Sequence, residues 1–167
     1  PDFARVMARV REVIRNIEPH DSVARYEALG VECLRGHARL VDPWTVEVDG
    51  QRLSAPNIVL ATGARPFVPP LPGLAEAGYL TSDNLWELRE LPPRLVVLGG
   101  GPIGCELAQA FARLGSEVTQ VEMLPRLLIR EDPEVSDTLG ARFAAEGITE
   151  LLDTQAIRVE MIADQKT

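Results

Sequence analysis

The chain has 167 residues, of which 46% are hydrophobic and 25% charged, a composition typical of one or two small globular domains and unlike that of a disordered chain. Its net charge of −8 argues against nucleic-acid binding and against adsorption to anionic membranes, because both require a basic surface. No apolar run approaches the roughly 20 residues that cross a bilayer. The first residues have an amphipathic pattern and not that of a signal sequence, and the chain contains only two cysteines. We therefore expect a cytoplasmic protein.

Two helices are predicted at the start of the chain. Residues 2–18 carry apolar side chains at helical spacing, and Pro19 marks the end of this pattern. A short second helix follows, with Asp21 or Ser22 as its N-cap and Gly30 in the position that ends it.

The residues that follow are typical of short β-strands. Residues 44–53 alternate around Asp49-Gly50, a dipeptide that favours a tight hairpin turn, which predicts a small antiparallel meander. Residues 57–61 form a continuous apolar run, which predicts a strand buried on both faces. The proline-rich residues 64–79 are predicted to form an extended connector.

From residue 95 the pattern alternates between strands and helices. Such alternation indicates a parallel sheet with the βαβαβ order of a Rossmann-like fold. The predicted elements are strand 95–98, helix 102–114, strand 117–122, helix 133–146 and strand 148–152.

A G-x-G-x-x-G pattern joins the first of these strands to the first helix. The pattern alone is weak, but its position between an apolar strand and an amphipathic helix is the one that dinucleotide binding requires. We expect Gly99 to allow the sharp turn, Gly101 to let the backbone approach a pyrophosphate, and Gly104 to permit close packing of the helix. Backbone N–H groups at a helix N-terminus bind phosphate without basic side chains, so the negative net charge is no obstacle. The predicted cofactor-binding residues here are Gly99, Gly100, Gly101, Pro102, Ile103 and Gly104.

An acidic residue ends the second strand of this unit. Glu122 lies 23 residues after Gly99, where a carboxylate accepts hydrogen bonds from the hydroxyl groups of an adenosine ribose. The same carboxylate would repel a 2′-phosphate, so NAD(H) is favoured over NADP(H), with Arg126 as the counter-argument. A glycine-rich turn without any ligand is the alternative that the pattern leaves open.

The remaining candidate side chains suggest no further chemistry. Cys33 and Cys105 are too far apart for a redox pair of the CxxC or CxxxxC type, and we expect both to be small buried side chains. His20 and His37 are expected at the surface or in structural roles, and no metal site is predicted.

Two stretches of the chain resemble a known family. Residues 95–122, LVVLGGGPIGCELAQAFARLGSEVTQVE, resemble the NAD(P)-binding segment of the class I pyridine nucleotide–disulfide oxidoreductases, which use FAD and include dihydrolipoamide dehydrogenase, glutathione reductase and mercuric reductase. The motif LLIREDPEVSDTL is similar to the mercuric-reductase-like branch. The motif IVLATGARPFVPPLPG resembles the second FAD contact of the family.

The resemblance implies an α/β fold in which a Rossmann-like βαβαβ half for NAD is preceded by part of an FAD-binding domain, made of helices and a small antiparallel β-meander. The implied domains are 1–90, a partial FAD-binding domain, and 91–167, a partial NAD(P)-binding domain. It also implies that Thr62 and Gly63 contact FAD. Glu106 matches a glutamate that lies near the flavin and assists catalysis in the family, although a carboxylate in the first turn also simply complements the helix dipole.

The sequence also departs from the family. Its 167 residues contain no second G-x-G-x-x-G for FAD, no CxxxxC disulfide and no His–Glu pair. We therefore interpret the chain as a central fragment of a flavoprotein oxidoreductase that passes hydride from NAD(P)H to FAD and on to a disulfide-type acceptor, with a homodimeric parent and no activity of its own. The alternatives are a non-catalytic NAD(H)-binding module and an inert fragment that self-associates through exposed core surface.

Overall fold

The computed structural model describes residues 1–162 and 165–166 and divides the chain into two compact units. The first unit comprises Pro1–Val10 and Pro66–Thr167, and the second comprises Arg11–Arg65. The assignment of residues 1–90 to a flavin domain and 91–167 to a nicotinamide domain stays a prediction.

The first helix, α1, spans Phe3–Ile17, as the apolar spacing predicts, and a 3-10 turn at Glu18–Asp21 ends it. Its apolar stripe is buried only in the first two turns. Phe3 and Met7 belong to the core of the first unit, where the ring of Phe3 lies 6.0 Å from that of Phe111. Ile14 and the later apolar positions of the helix are exposed.

The second unit contains a short helix and the predicted meander. Helix α2 (Val23–Ala28) is capped by the side chain of Ser22. The strands β1 (Ala38–Asp42), β2 (Thr45–Val48) and β3 (Gln51–Ser54) form an antiparallel sheet in the order β1-β2-β3. Asp49 and Gly50 both have positive φ, 47° and 91°, as the tight turn between β2 and β3 requires.

The strand predicted at residues 57–61 is absent from the structure, and the prediction of a buried strand is wrong. Val59 and Leu60 are 86% and 68% exposed, and residues 57–61 have no regular secondary structure. A strand is stable only when neighbouring strands satisfy its backbone N–H and C=O groups, and no strand among the described residues pairs with this run. The apolar composition alone does not supply those neighbours.

The connector 66–93 is mostly irregular. It contains one short helix, α3 (Leu74–Ala77), within the residues 64–79 that are predicted to be extended, and a 3-10 turn at Leu85–Glu87. Leu85 is buried in the core of the first unit and so anchors the connector.

A three-stranded parallel sheet forms the rest of the first unit and confirms the predicted α/β class. Its strands are β4 (Arg94–Leu98), β5 (Glu117–Val121) and β6 (Thr149–Leu151), in the order β4-β5-β6. Helix α4 (Pro102–Leu114) joins β4 to β5, and helix α5 (Pro133–Ala145) joins β5 to β6. A hairpin of β7 (Met161–Ile162) and β8 (Gln165–Lys166) follows.

The core of this unit lies between the parallel sheet and its two helices. Ala108 and Phe111 of α4 pack with Val118 of β5 and Phe143 of α5 in one buried cluster. Ile103, one of the predicted cofactor-binding residues, is exposed because it lies in the first turn of α4 and outside this cluster. The fold thus places the start of α4 at the surface, at the carboxyl ends of β4 and β5.

Candidate nucleotide-binding site

The glycine-rich turn begins where β4 ends. Gly99 has a φ of +104°, a conformation that residues with a side chain rarely adopt, and its N–H donates to the carbonyl of Val121 at 2.8 Å. The turn therefore leaves the sheet at the carboxyl edge, which is where open α/β sheets bind ligands.

Gly101 lies at the N-cap of α4, in extended backbone. A Cβ placed on Gly101 would meet no heavy atom within 4 Å, so the space in front of this residue is open. Pro102 occupies the first position of the helix, where its missing N–H costs nothing. The remaining N–H groups of the first turn and the helix dipole make this a favourable position for an anion.

Gly104 permits the close packing that its place in the motif predicts. A Cβ on this residue would collide with the carbonyl oxygen of Gly99 and would lie 3.2 Å from Nε2 of Gln120. Only glycine lets α4 approach the end of β4 this closely.

Glu122 lies beside the turn, and its carboxylate already has backbone partners. Oε2 accepts a hydrogen bond from the N–H of Gly100 at 2.5 Å, and Oε1 accepts one from the N–H of Leu124 at 2.8 Å. Gly100 is buried, and a Cβ there would lie within 3.0 Å of both Glu122 and Leu127. The structure therefore brings the predicted acid and the predicted glycines into one site.

The loop after β5 is attached to the same turn. The N–H of Leu128 donates to the carbonyl of Gly100 at 2.8 Å, and Leu128 itself has a φ of +49°. A bulky residue in this region of backbone space is strained, and such strain is stored where the surrounding structure fixes the chain. The loop and the turn form one rigid edge of the site.

Arg126, the residue that argues for NADP(H), is engaged by its own loop and by α5. Its Nη1 donates to the carbonyl of Glu131 at 2.8 Å and to Oγ of Ser136 at 2.9 Å, and its Nη2 donates to the carbonyl of Ile129 at 2.8 Å. Guanidinium groups with this many partners are poorly available to a phosphate.

Two side chains beneath the turn were not identified from the sequence. Gln120 is fully buried in β5, and its Nε2 donates to the carbonyl of Gly99 at 2.8 Å. The thiol of Cys105, which is 4% exposed, donates to the carbonyl of Gly100 at 3.4 Å, and its pKa is raised, chiefly by burial. The one signal in the sequence is that Gln120 alternates with Val118 on one face of β5, the face that is buried. Cys33, in contrast, is only half-buried, which corrects the expectation for that residue.

Glu106 lies on the exposed side of α4, two residues after Gly104. It lines an open groove between α4 and α5 together with Pro102, Leu128 and Val135. The first turn of α4 contains no acidic residue, so Glu106 lies past the turn in which a carboxylate complements the helix dipole, and that expectation is wrong. Its role near a cofactor stays a prediction.

Thr62 and Gly63 belong to the second unit, Arg11–Arg65. Both are exposed, Gly63 has a φ of +70°, and a Cβ placed on Gly63 would meet no heavy atom within 4 Å. Their backbone is thus accessible to a ligand, and their contact with FAD stays a prediction.

Two further observations limit the chemistry of the described residues. Across 1–162 and 165–166, no group of three or more His, Cys, Asp or Glu side chains could hold a metal ion. No helix in that part of the chain is both long and apolar enough to cross a membrane.

The glycine-rich turn, the acid at the end of β5 and the parallel sheet are arranged as in a Rossmann-like βαβ unit. The sequence profile of the pyridine nucleotide-disulphide oxidoreductases matches residues 4–166, so the chain belongs to that family. This confirms the family resemblance of the sequence.

Among individual proteins, the chain is similar to mercuric reductases in sequence and to a flavoprotein disulfide reductase in structure. The chain is 37% identical over 165 residues to the mercuric reductase of Bacillus cereus, covering 99% of this chain and 26% of the relative. It is 43% identical over 148 residues to the mercuric reductase of Acidithiobacillus ferrooxidans, covering 81% of this chain and 26% of the relative. The Cu(II) complex of RclA, an HOCl-induced flavoprotein disulfide reductase from Escherichia coli, superimposes with a TM-score of 0.84 at 30% identity, covering 99% of this chain and 38% of that one. The chain thus spans roughly a quarter to two fifths of these relatives.

Proposed function

We propose that this chain binds NADH at the glycine-rich turn, as the central part of a flavoprotein oxidoreductase that passes hydride from NAD(P)H to FAD and on to a disulfide-type acceptor. The observation that supports this best is the open space in front of Gly101, at the N-terminus of the 13-residue helix α4. A pyrophosphate requires this arrangement, because it must approach the backbone closely and face the positive end of a helix.

The proposed preference for NADH over NADPH depends on two side chains. Glu122 places a carboxylate beside the turn, where ribose hydroxyls donate well and a 2′-phosphate is repelled. Arg126, a basic side chain of the adjoining loop, already donates to two carbonyls and a hydroxyl. Both features favour the cofactor without the additional phosphate.

The proposed contact with FAD involves Thr62 and Gly63, whose backbone is exposed and locally free of side-chain crowding. The flavin supplies the redox chemistry when it is bound, and the protein supplies binding and orientation. We propose an assisting role for Glu106, because its exposed carboxylate lies one turn from the site of the pyrophosphate.

On its own, the chain is expected to bind nucleotide without catalysing disulfide reduction. Cys33 and Cys105 are the only thiols in the 167 residues, and the structure leaves both as free cysteines. The buried and weakly acidic Cys105 is a poor nucleophile, because the thiolate is the reactive form.

Calorimetric titration of the chain with NADH and with NADPH tests the proposal, beside an absorbance scan for retained flavin. We expect NADH to bind more tightly than NADPH, and NADH-dependent reduction of a disulfide to be undetectable. If the chain binds neither NADH nor NADPH, the proposal of nucleotide binding is refuted. If NADPH binds more tightly than NADH, the proposed preference is refuted.

A second candidate function is self-association without catalysis. The exposed apolar side chains of Val59 and Leu60 favour it, because unpaired apolar runs tend to find partners, including another copy of the same chain. Nucleotide binding and self-association are compatible, so each needs its own measurement.

A further inference from the structure

Gln120 occupies an unusual position in the parallel sheet. It lies in β5 between Thr119 and Val121, and its side chain is completely buried. Its Nε2 donates to the carbonyl oxygen of Gly99 at 2.8 Å and approaches Sγ of Cys105 at 3.5 Å. Its Oε1 is buried without a hydrogen-bond partner among the described residues.

A buried amide oxygen without a partner costs free energy, and an apolar side chain of similar length would avoid that cost. The interaction that glutamine gains in return is the bond to the carbonyl of Gly99. This carbonyl belongs to the first peptide of the glycine-rich turn, so Gln120 acts on the turn and not only on the core.

The geometry of the peptide bond shows what this bond achieves. The C=O and N–H groups of a trans peptide point in opposite directions, and no cis peptide is present among the described residues. Because the carbonyl of Gly99 points inward to Gln120, the N–H of Gly100 must point away from it. That N–H donates to Oε2 of Glu122.

The next peptide is held in a related way. The carbonyl of Gly100 accepts from the N–H of Leu128 at 2.8 Å and from the thiol of Cys105 at 3.4 Å. The N–H of Gly101 therefore points away from these groups. A series of hydrogen bonds thus connects the buried amide of Gln120, through the peptides after Gly99 and Gly100, to the side of the turn that is proposed to face the nucleotide.

We propose that Gln120 is a positioning residue for the nucleotide site: its amide fixes the plane of the Gly99–Gly100 peptide and thereby sets the orientation of the Glu122 carboxylate. This inference rests on the proposed binding of NADH at the turn. It extends that function to a buried residue which contacts no part of the nucleotide.

The test substitutes Gln120→Met, which keeps the length of the side chain but removes both its donor and its orphan acceptor. Val118→Ala is the matched control, because Val118 is buried in the same strand two residues away, on the same face, and pairs in register with Leu95, four residues before the turn. Three measurements compare the variants: the Kd for NADH, the thermal midpoint, and amide hydrogen exchange of Gly100 in the ligand-free chain.

We expect Gln120→Met to weaken NADH binding by about tenfold and to accelerate exchange of the Gly100 amide, with little loss in thermal midpoint. We expect Val118→Ala to lower the thermal midpoint and to leave the Kd for NADH unchanged. Equal effects of the two variants on affinity, in proportion to their loss of stability, would overturn the proposal.

Two further measurements cover a variant that fails to fold and a wild-type chain that binds no NADH. If Gln120→Met does not fold, the wild-type chain suffices: slow exchange of the Gln120 side-chain amide protons supports the proposal, and fast exchange overturns it. If the wild-type chain binds no NADH, the proposed function fails, whereas Gly100 exchange in the ligand-free variants still decides whether Gln120 positions the turn.

Discussion

Oε2 of Glu122 and the backbone N–H of Gly100 form a hydrogen bond of 2.5 Å across the glycine-rich turn. The second carboxylate oxygen accepts from the N–H of Leu124 at 2.8 Å, so both oxygens are fixed before any nucleotide binds. A side chain held in its binding orientation loses less conformational entropy on association. Glu122 is thus both a structural member of the turn and the proposed recognition residue.

Replacing Glu122 should therefore change stability and nucleotide preference together. Glu122→Ala removes two charge-assisted hydrogen bonds, and we expect the free energy of unfolding to fall by about 1–3 kcal/mol. We expect the Kd for NADH to rise at least about tenfold, with a smaller rise for NADPH because the repulsive charge is gone. Urea unfolding and calorimetry measure the two effects.

Glu122→Gln is the matched control for charge. It keeps the size of the side chain and one acceptor oxygen, but its NH2 group faces one of the two backbone N–H donors, so we expect a loss of stability smaller than that of Glu122→Ala. Discrimination between NADH and NADPH should decrease, because the negative charge is gone. An unchanged ratio of the two dissociation constants in both variants would contradict the recognition role.

Gly101→Ala should separate binding from folding. The space in front of Gly101 is open and its backbone is extended, so alanine fits and the free energy of unfolding should change by less than about 1 kcal/mol. The added methyl group occupies the position from which a pyrophosphate approaches, and we expect NADH affinity to fall at least about tenfold. Calorimetry and thermal unfolding of the same sample check both parts.

Gly104→Ala is the contrasting variant in the same motif. Its Cβ collides with the carbonyl of Gly99, so we expect the free energy of unfolding to fall by about 1–3 kcal/mol, as in other overpacked sites. Wild-type stability in Gly104→Ala would contradict the close packing of α4 against Gly99, and tight NADH binding by Gly101→Ala would contradict the proposed approach of the pyrophosphate.

A pH dependence is expected from Glu150, which lies opposite Gln120 in the register of β5 and β6. Burial raises the pKa of this carboxyl above its ordinary value of 4.5. The folded state therefore keeps a proton that the unfolded state loses, and the stability contributed by the neutral carboxyl is lost as pH rises from 4.5 through the raised pKa. Glu150→Gln should remove this decline and stabilise the chain at pH 7, and urea unfolding at a series of pH values measures both effects.

Glu146 provides a control of opposite sign. A hydrogen bond from Arg113 is the main reason that its pKa lies below the ordinary value. Its contribution to stability is present above the unfolded pKa and disappears as pH falls through the folded pKa. Glu146→Gln should therefore reduce the acid-induced loss of stability, and identical pH profiles for both variants would refute these assignments.

The exposed run 57–61 leads to a prediction about assembly. Val59→Thr combined with Leu60→Lys should lower the apparent molecular mass at high concentration, because the substitutions remove an apolar patch and add charge. The thermal midpoint should stay within a few degrees, since both side chains are largely exposed. Size-exclusion chromatography with light scattering gives the mass, and a wild-type chain that is monomeric throughout the concentration range would exclude self-association through this run.

The parallel part of the fold was predictable because its signals are local. Each strand and helix between residues 94 and 151 is encoded in a few adjacent positions, and the glycine-rich turn includes the residues at which α4 begins. The run 57–61 shows the limit of this approach. Its composition is that of a buried strand, but burial depends on neighbouring strands, which a local pattern does not contain.

The site was predictable only on the side that faces a ligand. The motif identifies Gly99, Gly101 and Glu122 by spacing, since these positions are set by the nucleotide they are expected to hold. The contacts of Gln120 with Gly99 and of Arg126 with Ser136 join residues 10 to 21 positions apart through the packing of strands and helices. Such contacts depend on how the strands and helices pack together, and no fixed spacing in the sequence predicts them.

Cys105 has a practical consequence that follows from its place beneath the turn. Its thiol donates a hydrogen bond to the carbonyl of Gly100 and is almost inaccessible to solvent. An alkylating reagent therefore reaches the thiol only when the turn opens. Cys33 is partly accessible and reacts as an internal reference. The ratio of the two labelling rates therefore measures how often the turn opens, and a ligand that closes the turn should slow the labelling of Cys105 alone.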